Sequence, residues 1–175
     1  MKAKVVFLDR DGTIIVDKNY LSDPAGIEFF PNALEGLKAF QAFGYQLVMI
    51  TNQSGIGRGY FTENDLKLVH DRLKELLQDN RVQLLDIFYC PHAPEENCTC
   101  RKPKTGMLID ACQKYNVDLE SAAMIGDSKV DVNLAKNFGI TAIQVTNGTN
   151  EPLPNADYVA KDLLDAANWM RKKQS

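Results

Sequence analysis

The feature that most constrains the fold is an apolar run, Val5 to Leu8, that passes directly into Asp9-Arg10-Asp11-Gly12-Thr13. A strand that ends this way places Asp9 and Asp11 at its carboxyl edge, where open α/β sheets bind ligands, and the glycine allows the chain to reverse there. Clustered carboxylates suit Mg²⁺, which is usually held by one or two carboxylates together with waters and phosphate oxygens. One Asp then stays free to attack phosphorus. Because Asp and Gly are also common turn residues, the alternative is that the segment alone is an ordinary acidic turn.

Three further segments argue against an ordinary turn. They are Gln46–Ile50 followed by Thr51-Asn52-Gln53-Ser54-Gly55, the basic Arg101-Lys102-Pro103, and Ala122–Ile125 followed by Gly126-Asp127, with Asp131 four residues later. The first offers a hydroxyl, amides and loop N–H groups to an anion. The second supplies cationic charge that can bind a phosphoryl oxygen. The chain therefore predicts, in order, a nucleophile, a hydroxyl, a cation and a metal-binding carboxylate.

The four segments resemble the motifs of the haloacid dehalogenase-like phosphohydrolases, and the match covers nearly the whole chain. Within that superfamily, the stretches from Asp9 to Thr13, from Thr51 to Gly59 and from Cys98 to Pro103 are similar to the D,D-heptose 1,7-bisphosphate phosphatases. Their nearest relatives are the histidinol-phosphate phosphatases. The extension through Arg58 and the aromatic pair Tyr60-Phe61 favour the heptose branch. Ser128 is a departure, because the heptose enzymes often carry a basic residue directly after Gly-Asp.

The resemblance implies the hydrolysis of the C7 phosphate of D-glycero-D-manno-heptose 1,7-bisphosphate, for ADP- or GDP-heptose precursors of lipopolysaccharide or surface glycans. Asp9 would be the nucleophile that forms an aspartyl-phosphate, and Asp11 the general acid and base. Mg²⁺ would be bound by the Asp9 carboxylate, the Asp11 backbone carbonyl and Asp127. The alternative substrate is histidinol phosphate or another small phosphomonoester.

The transferring phosphoryl group would be held by Thr51 and Lys102, and Lys104 is the competing cation. We favour Lys102 because it follows Cys100 and Arg101 directly, in a segment that a bound metal would fix. The residues expected to bind the rest of the substrate are Asn52, Gln53, Ser54, Arg58 and Arg101. Arg58 could instead be a solvated loop residue, and this alternative stays open.

A second motif lies between residues 90 and 100, where Cys90, His92, Cys98 and Cys100 form the pattern Cys-x-His-x₅-Cys-x-Cys. Three thiolates and one imidazole are the ligands of a closed, structural zinc site, and their softness favours Zn²⁺ over Mg²⁺. The alternatives are reduced buried cysteines with a chance histidine, or a non-catalytic zinc module that binds nucleic acid or protein. The net charge of −3 argues against a nucleic-acid partner.

The remaining sequence is typical of one compact domain over residues 1–175. With 45% hydrophobic residues the chain can bury one substantial core. No apolar stretch is long enough to cross a bilayer, and clustered thiols with metal spacing favour a reducing compartment, so we expect a cytoplasmic monomer. Cys112 is predicted to lie in the core. His70 has no nearby ligand or nucleophile in the sequence, and we expect it to be half-buried or at the surface.

Short apolar runs alternate with helical periodicity, which predicts an α/β fold: a doubly wound, mostly parallel Rossmann-like sheet with helices on both faces. One helix is predicted to begin after Thr62, with Asp65 completing a capping box. A loop from Thr146 to Asn155 should precede a short edge strand near Tyr158-Val159. The insertions after Thr13 and around the zinc loop are too short for a separate cap domain, so the substrate should enter an open cleft.

Overall fold

The computed structural model describes residues 1–175 and contains six strands and five α-helices. The elements in chain order are β1 (Val5–Leu8), α1 (Ala33–Ala42), β2 (Gln46–Asn52), α2 (Glu63–Asp79), β3 (Leu84–Cys90), α3 (Gly106–Tyr115), β4 (Ala123–Gly126), α4 (Lys129–Phe138), β5 (Thr141–Val145), β6 (Tyr158–Ala160) and α5 (Leu163–Lys173). Two short 3₁₀ turns, Pro24–Gly26 and Pro94–Glu96, lie in the loops after β1 and β3.

All strand pairs are parallel, and the sheet order is β3-β2-β1-β4-β5-β6. This is the strand order of the doubly wound dinucleotide-binding fold, in which the winding reverses between the first and fourth strands. The crevice at that reversal is the usual ligand site of such sheets. The predicted fold is confirmed, and the loops that follow β1 and β4 meet at this point.

Two hydrophobic cores lie on opposite faces of the sheet. On one face, α1, α2 and α5 pack through residues such as Phe40, Leu73 and Ala167. On the other face, α3 and α4 pack through residues such as Leu108 and Leu134. Strand β1 contributes to both cores because its four residues are completely buried and point alternately to the two faces. Such burial explains why the strand is a continuous apolar run.

Local signals fixed several element boundaries. Thr62 caps α2 as predicted: its hydroxyl accepts from the Asp65 N–H (3.1 Å), and the Asp65 carboxylate accepts from the Thr62 N–H (2.8 Å). The loop after β5 leads to the short edge strand β6, also as predicted. The connections after β1 and β3 contain the two 3₁₀ turns and, after β1, isolated bridges at Ile15, but no further helix or strand from which a cap domain could be built. None of the helices has the length and apolarity required to span a membrane.

Two positions differ from expectation. His70 is not at the surface: only 6% of it is exposed, and it lies on the buried face of α2 beside Arg10. The expectation failed because its partner, Arg10, is 60 residues away in sequence and comes close only in the folded chain. Cys112 packs against the edge of the second core and is partly exposed.

Candidate active site

The carboxyl ends of β1 and β4 bring Asp9 and Asp127 together. The Asp9 N–H donates to the Ile125 carbonyl (2.9 Å), which continues the pairing of the two strands to their last residues. Gly12, with φ of +82°, turns the chain back beside Asp127, and a Cβ atom there would lie 2.2 Å from an Asp127 carboxylate oxygen. Glycine is therefore required for the Asp127 carboxylate to occupy this position.

Lys102 is the cation of this site. It is 3% exposed, and its ammonium group donates to the Asp9 carboxylate (2.8 Å), the Asp131 carboxylate (2.6 Å) and the Ile50 carbonyl (3.0 Å). These three acceptors use all three ammonium hydrogens. Lys104, the competing candidate, is exposed and donates instead to the Cys98 carbonyl (2.6 Å). The structure thus brings Lys102, and not Lys104, to the strand edge.

Asp131 also belongs to the site, although no role was predicted for it from the sequence. It is 1% exposed, and its second carboxylate oxygen accepts from the Ser128 hydroxyl (3.0 Å) and N–H (3.3 Å) at the start of α4. A Cβ atom on Gly126 would collide with this carboxylate at 2.2 Å. The signal in the sequence was the capping-box spacing from Ser128 to Asp131, which predicts a helix start but not a partner for Lys102.

The site carries more negative than positive charge. Burial and repulsion from Asp131 raise the pKa of Asp9 well above its ordinary value, although Lys102 opposes this. The same two causes raise the pKa of Asp127 to about 6. Burial alone would lower the pKa of Lys102, but the Asp131 and Asp9 carboxylates outweigh it and raise that pKa. Three carboxylates around one ammonium would be neutralised by a further cation of charge +2.

The donor set fits Mg²⁺. Oxygens of Asp9, Asp127 and Asp131 all lie within 4.8 Å of one another. Because Lys102 and Ser128 already occupy the two Asp131 oxygens, Asp9 and Asp127 are the carboxylates with lone pairs free for a cation. The Asp11 backbone carbonyl accepts no main-chain hydrogen bond and is also free. Hard oxygen ligands of this number, completed by waters, are typical of Mg²⁺.

Asp11 is held by a buried arginine. Arg10 is completely buried, and its Nε (3.1 Å) and Nη2 (2.9 Å) donate to the two oxygens of the Asp11 carboxylate. Gln53 Nε2 donates to the same carboxylate (3.2 Å) and to the Thr51 hydroxyl (2.8 Å). The hydroxyl and amide predicted to contact substrate therefore belong to a network that also orients Asp11.

The other predicted substrate residues are placed differently. Asn52 forms two hydrogen bonds with the main chain of Lys102, accepting from its N–H (2.9 Å) and donating to its carbonyl (3.3 Å). Ser54 accepts from Nε of the exposed Arg58 (3.4 Å). Arg101 has a buried Nη1 with no hydrogen-bond partner. Substrate contact by these residues, and by Gln53, stays a prediction.

An open cleft of about 320 Å³ lies over this strand edge. Its floor is formed by Asp9, Asp11, Lys102 and Asp127, and its walls include Asn52, Gln53, Ser54 and the loop that carries Asp17, Asn19 and Tyr20. Tyr20 packs edge-to-face against Tyr60, with ring centroids 4.8 Å apart. Polar walls of this kind suit a hydrophilic, phosphorylated ligand.

The structure brings the four predicted zinc ligands together. Cys90 Sγ lies 3.6 Å from Cys98 Sγ and 3.0 Å from Cys100 Sγ, and His92 Nδ1 lies 3.2 Å from Cys100 Sγ. All four donor atoms are within 4.8 Å of one another. Burial raises the pKa of Cys90 and of Cys100. Burial also acts on Cys98, but the Arg101 N–H that donates to its Sγ (3.4 Å) helps to lower the pKa of this thiol to about 6, so Cys98 loses its proton first. A thiolate in such a cluster suits tetrahedral Zn²⁺.

Comparison with known proteins gives consistent matches. A family model described as HAD-hydrolase-like matches residues 99–166. The chain is 38% identical over 165 residues to the D-glycero-alpha-D-manno-heptose-1,7-bisphosphate 7-phosphatase of Photorhabdus laumondii, covering 89% of this chain and 90% of that protein. It is 39% identical over 169 residues to the D-glycero-beta-D-manno-heptose-1,7-bisphosphate 7-phosphatase of Helicobacter pylori, covering 96% and 97%.

Solved structures agree. The crystal structure of D,D-heptose 1,7-bisphosphate phosphatase from B. bronchiseptica, complexed with magnesium and phosphate, superposes with a TM-score of 0.88 at 30% identity and covers 99% of each chain. A HAD-like phosphatase from Mesorhizobium loti superposes with a TM-score of 0.82 at 32% identity, covering 97% of this chain and 88% of that one.

Proposed function

The chain belongs to the D-glycero-D-manno-heptose-1,7-bisphosphate 7-phosphatases of the haloacid dehalogenase-like hydrolases, and on this premise we propose that it hydrolyses the C7 phosphate of that sugar bisphosphate. One observation carries the proposal: the Asp9 carboxylate stands at the switch point of the sheet, 2.8 Å from the buried Lys102 ammonium and open to the cleft. A carboxylate there can attack a phosphorus atom whose oxygens are held by positive charge.

The first half-reaction transfers the phosphoryl group to the enzyme. Asp9 attacks phosphorus in line, and the bond from phosphorus to the sugar O7 breaks as the Asp9 aspartyl-phosphate forms. Asp11 donates a proton to the leaving oxygen, which avoids the release of a sugar alkoxide. The Thr51 hydroxyl holds a phosphoryl oxygen, and the Lys102 ammonium offsets the phosphoryl charge by exchanging its hydrogen bond to Asp9 for one to a phosphoryl oxygen as Asp9 attacks.

The second half-reaction releases phosphate. Asp11, now a carboxylate, takes a proton from water, and that water attacks the aspartyl-phosphate to regenerate Asp9. Mg²⁺ held by Asp9, Asp127 and the Asp11 carbonyl would supply positive charge to the phosphoryl oxygens. Asp131 accepts a hydrogen bond from the Lys102 ammonium and so keeps it beside Asp9.

We further propose that Cys90, His92, Cys98 and Cys100 bind Zn²⁺ and that this zinc is structural. The metal would fix the loop from which the chain continues directly to Arg101 and Lys102. Four protein ligands leave no open coordination position, so zinc takes no part in the chemistry. The cluster of reduced thiols supports a cytoplasmic enzyme, and the sugar product would serve ADP- or GDP-heptose synthesis for lipopolysaccharide or another surface glycan.

The test is Mg²⁺-dependent hydrolysis of heptose 1,7-bisphosphate, followed by phosphorus NMR. We expect the C7 phosphate to disappear and the C1 phosphate to remain, and Asp9→Asn to be inactive while retaining its fold by circular dichroism. The α and β anomers are assayed side by side, because the relatives include enzymes named for each. Higher catalytic efficiency on histidinol phosphate, or activity in Asp9→Asn, would refute the proposal.

A further inference from the structure

A buried histidine lies behind the predicted acid–base residue. His70 on α2 places its Nε2 3.0 Å from Nη1 of Arg10, the residue whose other two nitrogens bind Asp11. Arg10 is completely buried and His70 is 6% exposed, so water does not compete for this contact. The three residues form a continuous row from the helix, through the guanidinium, to the carboxylate at the cleft.

The chemistry of the two partners fixes the state of the imidazole. A guanidinium group only donates hydrogen bonds, so His70 Nε2 must accept, and the ring must be neutral with its proton on Nδ1. The groups around the ring are Arg10, the Lys74 and Asp71 side chains of α2, and the Tyr89 ring of β3. Burial and the Arg10 and Lys74 charges lower the pKa of His70 to about 3, so the ring remains neutral at neutral pH.

The planar geometry of the guanidinium gives the contact a consequence for Asp11. Nε and Nη2 form one fork and Nη1 points away from it, so an acceptor on Nη1 sets the rotation of the whole group. Gln53 Oε1 also accepts from Nη2, at a longer distance (3.3 Å), while Gln53 Nε2 donates to Asp11. His70 is the acceptor on Nη1, the terminal nitrogen that does not contact Asp11, so it helps to fix the guanidinium from outside the contacts with Asp11 and Gln53.

We propose that His70 is a positioning residue for acid–base catalysis, which acts by fixing Arg10 so that its fork presents the Asp11 carboxylate to the cleft. The inference rests on the proposed function because it takes Asp11 as the group that protonates the leaving oxygen. Small errors in the placement of such a group are expected to slow proton transfer more than substrate binding. His70 itself contacts neither substrate nor metal.

Two substitutions separate this role from packing. His70→Gln can place an amide oxygen near the position of Nε2 and keep the acceptor, whereas the shorter His70→Asn reaches only as far as Nδ1. We expect His70→Asn to lower kcat on heptose bisphosphate roughly tenfold with little change in KM, and His70→Gln to recover most of it. The loss should be smaller on an aryl phosphate, whose leaving group needs less help from an acid.

The decisive measurement repeats the substitution in an Asp11→Asn background. If His70 acts through Asp11, His70→Asn should cause no further loss there. Leu77→Ala, two turns along the same buried face of α2, controls for lost stability and should retain wild-type kcat per folded molecule. Equal losses in both backgrounds, or no loss in either, would overturn the inference. Such an outcome would refute only the role of His70. The proposed function would stand as long as the wild type hydrolyses heptose bisphosphate and Asp11→Asn is slow.

Discussion

Acidification should weaken Mg²⁺ binding through Asp127. Because burial and Asp131 raise the pKa of Asp127 to about 6, this carboxyl group takes up a proton at a pH where most carboxylates are ionised. Metal binding requires the ionised form. With that pKa, about a tenth of Asp127 is ionised at pH 5, so the Mg²⁺ concentration for half-maximal activity should rise roughly tenfold between pH 7.5 and pH 5. The raised pKa of Asp9 acts in the same direction.

The assay is a Mg²⁺ titration of aryl phosphate hydrolysis at several pH values. The half-saturating Mg²⁺ concentration should be constant above about pH 7 and rise below about pH 6. Asp131→Asn removes a charge that raises the pKa of Asp127, so its rise should begin at a lower pH. A half-saturating concentration that is the same at pH 5 and pH 7.5 would refute the reasoning.

The raised pKa of Asp127 also makes the stability of the metal-free protein depend on pH. The pKa of Asp127 is higher in the folded protein than in the unfolded chain, so in metal-free protein the carboxylate opposes folding above pH 6 and the penalty is relieved as the pH falls toward 4. A shift of about two units corresponds to about 3 kcal/mol at most. The difference in unfolding free energy between wild type and Asp127→Asn should therefore narrow from pH 7.5 to pH 5 in EDTA, and added Mg²⁺ should stabilise the wild type most above pH 6.

Four further outcomes test individual assignments. Asp11→Asn should lower kcat by roughly 10²- to 10⁴-fold on a sugar phosphate, the range of lost acid–base catalysis, and an unchanged rate would remove that role. Cys98→Ser should lower both the zinc content measured by elemental analysis and the melting temperature. Mild EDTA treatment should abolish activity, and Mg²⁺ alone should restore it. Wild-type protein that contains no zinc when it is purified without added metal would contradict the zinc assignment. Arg58→Ala should erase a preference for bisphosphate over monophosphate and leave aryl phosphate hydrolysis unchanged, and equal losses on both substrates would place Arg58 in the chemistry or the fold.

Local sequence signals were enough to predict the helices and strands and the polar residues at the ends of the strands. The run Val5–Leu8 predicts a strand buried on both faces because every position is apolar, and the structure places all four residues in the cores. Thr62 and Asp65 predict a helix start because their hydrogen bonds join residues three apart. The Cys/His cluster was predictable for a similar reason, since its four residues lie between positions 90 and 100 of the sequence.

The partners of the charged groups depend on which strand ends meet, and only the tertiary structure decided them. Lys102 contacts Asp131 because parallel pairing of β1 with β4 brings the start of α4 to the same edge, and no local pattern encodes that distance. His70, expected to be half-buried or at the surface, is buried because its partner Arg10 lies far away in the sequence, and burial of a polar side chain depends on such a partner. The sequence thus predicted which charged and polar groups lie at the strand ends, whereas packing determined which charges neutralise one another, because pairing energies depend on distances between residues far apart in the chain.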